Sequence, residues 1–145
     1  MTALPPMDLR PMRESDRHLV LSSWLRSYAG RSLDARDYTG EARGAFSVDY
    51  VPVIRALLGR SRVIVACLTD EPDAIVGWMA WEADTLHYVL VKPRWRQLGI
   101  ARWMLADFAE MPVVFTHRTG DALRCPVPKG WVYRRWLIWP REEAA

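Results

Sequence analysis

The chain has 145 residues, half of them hydrophobic and about a quarter charged, with a formal net charge of +3. That length accommodates one ordinary globular domain with a buried core and is too short for two. The balance excludes a disordered chain, and no apolar run approaches the roughly 18 residues that a membrane-spanning helix needs.

The opening Met1-Thr2-Ala3-Leu4-Pro5-Pro6 lacks the basic-then-apolar layout of a signal peptide, so a cytoplasmic protein without a membrane role is expected. Cys67 and Cys125 are far apart and form no C-x-x-C or Cys/His spacing, which predicts neither a disulfide framework nor a metal site. Cys67 sits in an apolar run and reads as a small core residue. Lys92 and Lys129 are the only lysines, so arginine carries the positive charge. The planar guanidinium suits oxyanions, and a clustered few of these arginines are candidates for phosphate contact.

Met7 to Met12 reads as a brief edge strand, because Pro11 cannot donate to an interior ladder. Ser15 is the expected cap of a first helix. Leu21, Trp24, Leu25 and Tyr28 then share its buried face, and Gly30 marks its end. The polar stretch Arg31 to Phe46 shows no period and is expected to be loop or frayed helix. Asp49 is the expected cap of a second helix, which places Pro52 in its first turn, with Tyr50, Ile54, Leu57 and Leu58 inward and Gly59 at the end.

Three strands follow on short turns: Arg62 to Leu68, Ile75 to Trp81, and Thr85 to Val91. They predict an antiparallel meander. Ile100, Met104, Leu105 and Phe108 then form a helical stripe that ends before Pro112. Val113 to His117 is the next strand, and the strand, helix, strand order makes it parallel to Thr85–Val91. Arg118 to Gly130 reads as loop, and Trp131 to Trp139 as a final strand.

The segment Tyr88 to Leu105 carries the chemistry. A hydrophobic strand runs into a basic turn containing Gly99, which opens an amphipathic helix with Arg94, Arg96 and Arg102 nearby. Such a turn aims unpaired backbone N–H groups at one spot and is suited to phosphate. The plainer reading, a glycine that only relieves a tight connection, stays open on composition alone.

Arg96-Gln97-Leu98-Gly99-Ile100-Ala101 resembles the Arg/Gln-x-x-Gly-x-Gly/Ala signature of the GNAT (general-control-related N-acetyltransferase) superfamily. The Val89-Leu90-Val91-Lys92-Pro93 run before it, and Leu9-Arg10-Pro11, Ser15-Asp16 and Val76-Gly77-Trp78 upstream, resemble further family motifs in matching order, from about Asp8 to Phe115. The resemblance implies one acyl-CoA-binding domain over residues 1–145. Its α/β (α+β) architecture would be a mixed, mainly antiparallel sheet, splayed between its fourth and fifth strands and flanked by helices. It implies acetyl-CoA or CoA as cofactor, held by Val89, Leu90, Val91, Arg96, Gln97, Leu98, Gly99, Ile100, Ala101 and Arg102. The implied activity is transfer of an acetyl group to a primary amine, on a small molecule or a peptide.

Downstream the pattern departs. Many active relatives carry an Asn after the fifth strand and a helix with a Tyr that protonates the leaving thiolate, whereas Thr116 to Cys125 contains neither. Thr85 stands where some relatives place a glutamate base. The candidate catalytic residues nearby are Glu82 and His87, with Asp84 and His117 as further titratable groups. A catalytically silent binding or structural protein of the same fold is the alternative. The interleaved aromatics and arginines of Lys129 to Trp139 also fit single-stranded nucleic acid, although such residues are equally those of a strand. Eight tryptophans leave open a homodimer through an exposed apolar patch.

Overall fold

A computed structural model describes residues 4–31, 41–108, 113–117 and 131–134. Six strands form one sheet in sequence order: β1 (Met7–Pro11), β2 (Arg62–Leu68), β3 (Ile75–Glu82), β4 (Thr85–Val91), β5 (Val114–Phe115) and β6 (Val132–Tyr133). The first four pair antiparallel, while β5 joins β4 and β6 joins β5 in parallel. Helices α1 (Arg17–Arg31) and α2 (Glu41–Arg60) cover one face, and the short α3 (Ile100–Met104) covers part of the other.

The alternation of side chains along the strands builds two cores. Val63, Val65, Trp78, Ala80, Tyr88 and Leu90 meet Val20, Trp24, Tyr28, Ile54 and Leu57 on the α1/α2 face. Ala66, Val76 and Met79 meet Ile100 and Met104 on the other. With both faces covered, Ile75 to Ala80 are all buried, which is why β3 reads as a continuous apolar run rather than an alternating one. Cys67 is buried, as its apolar surroundings imply.

Gly77 is the point of closest approach in this sheet. A Cβ there would lie 2.6 Å from the backbone carbonyl oxygen of Leu90 and 3.3 Å from Met104 Cε. Because the nearer atom is backbone, it cannot swing aside as a side chain would. Gly77→Ala is expected to destabilise the protein by about 1–3 kcal/mol, read as a lower denaturant midpoint.

Several local expectations are corrected. Ser15 does not cap α1; it lies within a 3₁₀ turn, Glu14–Asp16, where the Asp16 carboxylate accepts the Arg13 N–H at 2.8 Å. Asp16 also receives both guanidinium nitrogens of Arg10, at 2.6 and 3.2 Å. The Arg10 hydrogen bonds, against the opposing effect of burial, hold the Asp16 carboxyl below its ordinary pKa. Helix α1 continues one residue past Gly30.

Helix α2 begins at Glu41 rather than Asp49, so the end of the stretch read as loop or frayed helix is helical and Pro52 falls in the helix interior. One lost backbone bond is tolerated there because Tyr50, Ile54, Leu57 and Leu58 anchor the helix in the core. Gly59 falls in its last turn, and Arg60 ends it. At the other end of the chain, α3 stops at Met104, where Leu105 takes φ −90 and ψ 6, and a 3₁₀ turn (Ala106–Phe108) carries Phe108. β5 keeps only Val114 and Phe115 of the expected five-residue strand, and within the described residues 131–134 the expected final strand is present at Val132 and Tyr133. The readings at 32–40, at 118–130, including Cys125, and at 135–139 lie outside the described residues.

Candidate functional site

The site begins with a bulge in β4. Tyr88 faces Ala80 and Leu86 faces Trp81, so His87 has no residue opposite it on β3. A bulge of this kind shifts which backbone groups point to which neighbour. Before it, the carbonyls of Asp84 and Leu86 accept the N–H groups of Val114 and Thr116 on the β5 side, at 3.1 and 3.2 Å. After it, the Lys92 N–H donates to the Val76 carbonyl at 2.8 Å. In an antiparallel ladder bonded pairs alternate, so Leu90 and Tyr88 also bond toward β3. Val89 and Val91 therefore turn their N–H and C=O groups to the opposite side.

β5 has left β4 by then. The two strands pair only at Thr85↔Val114 and Leu86↔Phe115, and β4 runs on for five more residues. The result is a gap beside the backbone of Val89 and Val91, past the end of β5. Leu90 is placed differently from its neighbours, with its backbone paired to Trp78 and its side chain in the first core.

Beyond Val91 the chain makes a 3₁₀ turn, Pro93–Trp95, and then α3. Arg96 is fixed by an Nε donation to the Val91 carbonyl at 2.9 Å. Gln97 and Gly99 both have left-handed backbone, with φ of 63° and 83°, which curls the connection tightly before Ile100. A Cβ on Gly99 would meet nothing within 4 Å, so that side of the turn is open. Gln97, Leu98 and Arg102 are exposed, Ala101 is half-buried, and the Ile100 side chain is buried in the second core. Ile100 can thus meet a ligand only through its backbone.

An open groove of about 1190 Å³ runs between this connection and α1. Ser22, Ser23, Arg26 and Ser27 form one wall, Ile75 and Leu90 the floor, and Lys92 to Arg96 the other wall. At its inner end the Ser27 hydroxyl and the Tyr88 hydroxyl are hydrogen-bonded at 2.7 Å, and the Trp78 indole N–H donates to Ser23.

The candidate catalytic pair, His87 and Glu82, is in direct contact at 2.6 Å from Nε2 to the carboxylate. Arg60 donates to the same carboxylate at 2.9 Å. Burial alone would raise the Glu82 pKa, but the hydrogen bonds from His87 and Arg60 and the Arg60 charge outweigh it and lower the value. Burial pushes the His87 pKa down in spite of Glu82. The pair is therefore a neutral imidazole on an ionised carboxylate. The His87 side chain has no solvent exposure, whereas that of Glu82 is 30% exposed.

Three further residues extend this pair. His87 Nδ1 meets the Thr116 hydroxyl at 2.9 Å, the same hydroxyl meets His117 Nδ1 at 2.9 Å, and His117 Nε2 meets the Tyr50 hydroxyl at 2.8 Å. The His117 ring lies among Trp24, Tyr28, Tyr50 and Tyr88, with centroids 4.5–5.9 Å away. Sequence reading singled out His87, Glu82 and His117 but missed Tyr50, Arg60 and Thr116. A threonine beside a histidine at a strand end was the one available signal. Tyr50 has the spacing of an ordinary core aromatic, and Asp84, by contrast, stays an exposed turn residue.

Among the described residues no cluster of three His, Cys, Asp or Glu side chains could hold a metal, and no helix is long and apolar enough to cross a membrane. No family model and no curated protein matches the sequence. Solved structures do match its shape. The GCN5-related N-acetyltransferase of Rhodopseudomonas palustris superposes with a TM-score of 0.51 at 20% identity, over 74% of this chain and 66% of that one. Bacillus subtilis YycN superposes with a TM-score of 0.53 at 14% identity, over 96% of this chain and 94% of its own. Escherichia coli YjaB is 21% identical over 70% of this chain, with a TM-score of 0.48. The chain spans 63% of the length of YjaB and, as above, 66% of the R. palustris protein. The chain, a mixed six-stranded sheet flanked by helices, superposes on the R. palustris and B. subtilis structures and has the GNAT fold.

Proposed function

We propose that this protein is an acetyl-CoA-dependent N-acetyltransferase that acts on a primary amine by direct attack in a ternary complex. The observation that carries the reading is the gap after the β4 bulge, where the backbone of Val89 and Val91 faces away from β3 beside the connection that holds Arg96 and Gly99.

The donor set fits an extended ligand with an amide-bearing arm and a pyrophosphate. Val89 and Val91 offer strand-like backbone groups to the arm, as an added strand would. Arg96, Arg102 and the backbone from Gln97 to Ala101 offer donors and positive charge to the phosphates, with the open side of Gly99 admitting close approach. Acetyl-CoA supplies an activated thioester. The Val89 N–H, fixed by the strand before any ligand arrives, is suited to hold the oxygen on which charge develops. The groove walls orient the amine and limit water, which is most of what aminolysis of a thioester requires.

The test is thermal unfolding with and without acetyl-CoA. A ligand that binds only the native state at a hundred times its Kd adds about 2.7 kcal/mol. For a domain of this size that is a rise of about 10 °C in Tm. No rise at millimolar acetyl-CoA overturns the reading and leaves a fold without its cofactor. A rise without thiol release on any primary amine instead identifies a binding protein.

A further inference from the structure

The groove between α1 and the connection after β4 is unevenly charged. Arg26 stands on its α1 wall, Lys92, Arg94 and Arg96 stand on the wall opposite, and the carboxylates that line it are Glu71 and Asp73 of the β2–β3 turn. Asp73 already faces Arg13 at 3.6 Å. Arg96 is held by the Val91 carbonyl, and Arg94 lies over the Trp95 ring at 5.8 Å. Arg26 and Lys92 have no acidic partner among the described residues.

The hydroxyls on the α1 wall do not take the place of these cations. Ser22 and Ser23 donate to the carbonyls of Leu19 and Val20, at 3.3 and 3.2 Å, and Ser23 also accepts the Trp78 indole N–H. A hydroxyl has one proton, so neither serine can donate to an anion while these bonds stand. Between the walls, Leu19, Leu68, Ile75 and Leu90 are apolar. A ligand that fills the groove is therefore apolar along its body and negative where it meets Arg26 and Lys92. A second cation at that place would be repelled.

The groove is also placed for the acceptor. It lies on the α1 face of the sheet, whereas Gly99 leads into α3 on the other face. Its inner end, at the Ser27 and Tyr88 hydroxyls, is one residue from Val89, and Arg26 precedes Ser27 on the same wall. We propose that the acceptor is a primary amine that carries an oxyanion, a carboxylate or a phosphate, on an apolar body. Arg26 and Lys92 bind the oxyanion from opposite walls, the guanidinium as a two-pronged donor and the ammonium as a point charge. The apolar floor holds the body, and the amine is left at the inner end beside Val89. This names the substrate class within the N-acetyltransferase reading and rests on that reading.

Three pairs of amines that differ in the anionic group test the proposal: L-phenylalanine and phenethylamine, γ-aminobutyrate and propylamine, and O-phosphoethanolamine and ethanolamine. NMR titration with and without CoA reads Kd independently of turnover, and thiol release from acetyl-CoA reads kcat/KM. In at least one pair the anionic member is expected to bind and to react at least tenfold better, and the pair that shows it separates carboxylate from phosphate. No preference, or preference for the uncharged member, in all three pairs overturns the proposal. Arg26→Gln, at an exposed position, is expected to reduce the preference at least tenfold and to leave the acetyl-CoA-induced Tm rise intact. Lys92→Gln is expected to reduce the preference as well. Loss of the Tm rise in Arg26→Gln would assign the groove to the cofactor and overturn the proposal. Arg62→Gln, exposed beside Trp103 on the α3 face, is the control for long-range attraction, and an equal loss of preference there overturns the proposal too. Absence of any Tm rise in the unmodified protein overturns the N-acetyltransferase reading instead, and the Kd values within each pair then still decide whether the groove takes an anion.

Discussion

Trp24→Ala is expected to lower the unfolding free energy by about 3–5 kcal/mol, a large part of the 5–15 kcal/mol typical of a whole domain. Trp24 has no exposed surface and joins three elements at once. Its ring lies 5.3 Å from Trp78, 5.6 Å from Tyr88 and 5.5 Å from His117. Alanine would leave a void between α1, the middle of the sheet and the His117 ring, and these elements are tied to others that stop them closing around it. The loss is read as a fall in the denaturant midpoint at constant slope. Trp24→Phe separates ring from N–H. The Trp24 indole N–H is buried without a hydrogen-bond partner among the described residues, so phenylalanine keeps much of the packing and sacrifices no such bond. It should recover most of the stability lost in the alanine variant. A loss below about 1 kcal/mol in Trp24→Ala would show that the two-helix face is not the main core.

Gly99→Glu is expected to weaken acetyl-CoA binding by about a hundredfold or more while leaving the fold intact. The space around the Gly99 Cα is open, so the new side chain meets no clash. Its φ of 83° costs a residue with a Cβ about 1–2 kcal/mol, which the fold can absorb. The larger effect is electrostatic. A carboxylate about 5 Å from a phosphate at an effective dielectric constant of about 20 opposes binding by about 3 kcal/mol. Gly99→Ala carries the backbone strain without the charge and serves as the control. The measurement is a titration of Tm against acetyl-CoA for the three proteins. Retained affinity in Gly99→Glu would mean that the connection from Arg96 to Arg102 is not the phosphate site.

Where a segment's state depends on its own residues, the sequence was readable. β2 and β4 have the limits expected of β-branched runs between turn residues, Arg62–Leu68 and Thr85–Val91. The parallel placement of β5 followed from the intervening helix, and the Gly99 turn from its glycine. The start of helix α2 was not located because the residues from Glu41 to Asp49 show no sustained helical period of apolar positions and include Gly44, so the local pattern does not announce the helix. The cap at Ser15 was misjudged because Asp16, one residue later, is held by Arg10 from a different element.

The site divides along the same line. The basic, glycine-bearing connection is continuous in sequence, and its residue types announce an anion. His87 and Glu82 were also within reach, being five residues apart across one hairpin. Sequence by itself thus determined the order of elements and the segment suited to phosphate. Only the tertiary structure decided that His87 sits in a bulge that turns Val89 toward the gap, and that Thr116, His117 and Tyr50 continue its hydrogen bonds inward. The physical reason is that periodicity and turn chemistry act between neighbours along the chain. Strand register and the meeting of Tyr50 with His117, 67 residues apart, are fixed by how the sheet closes on its helices.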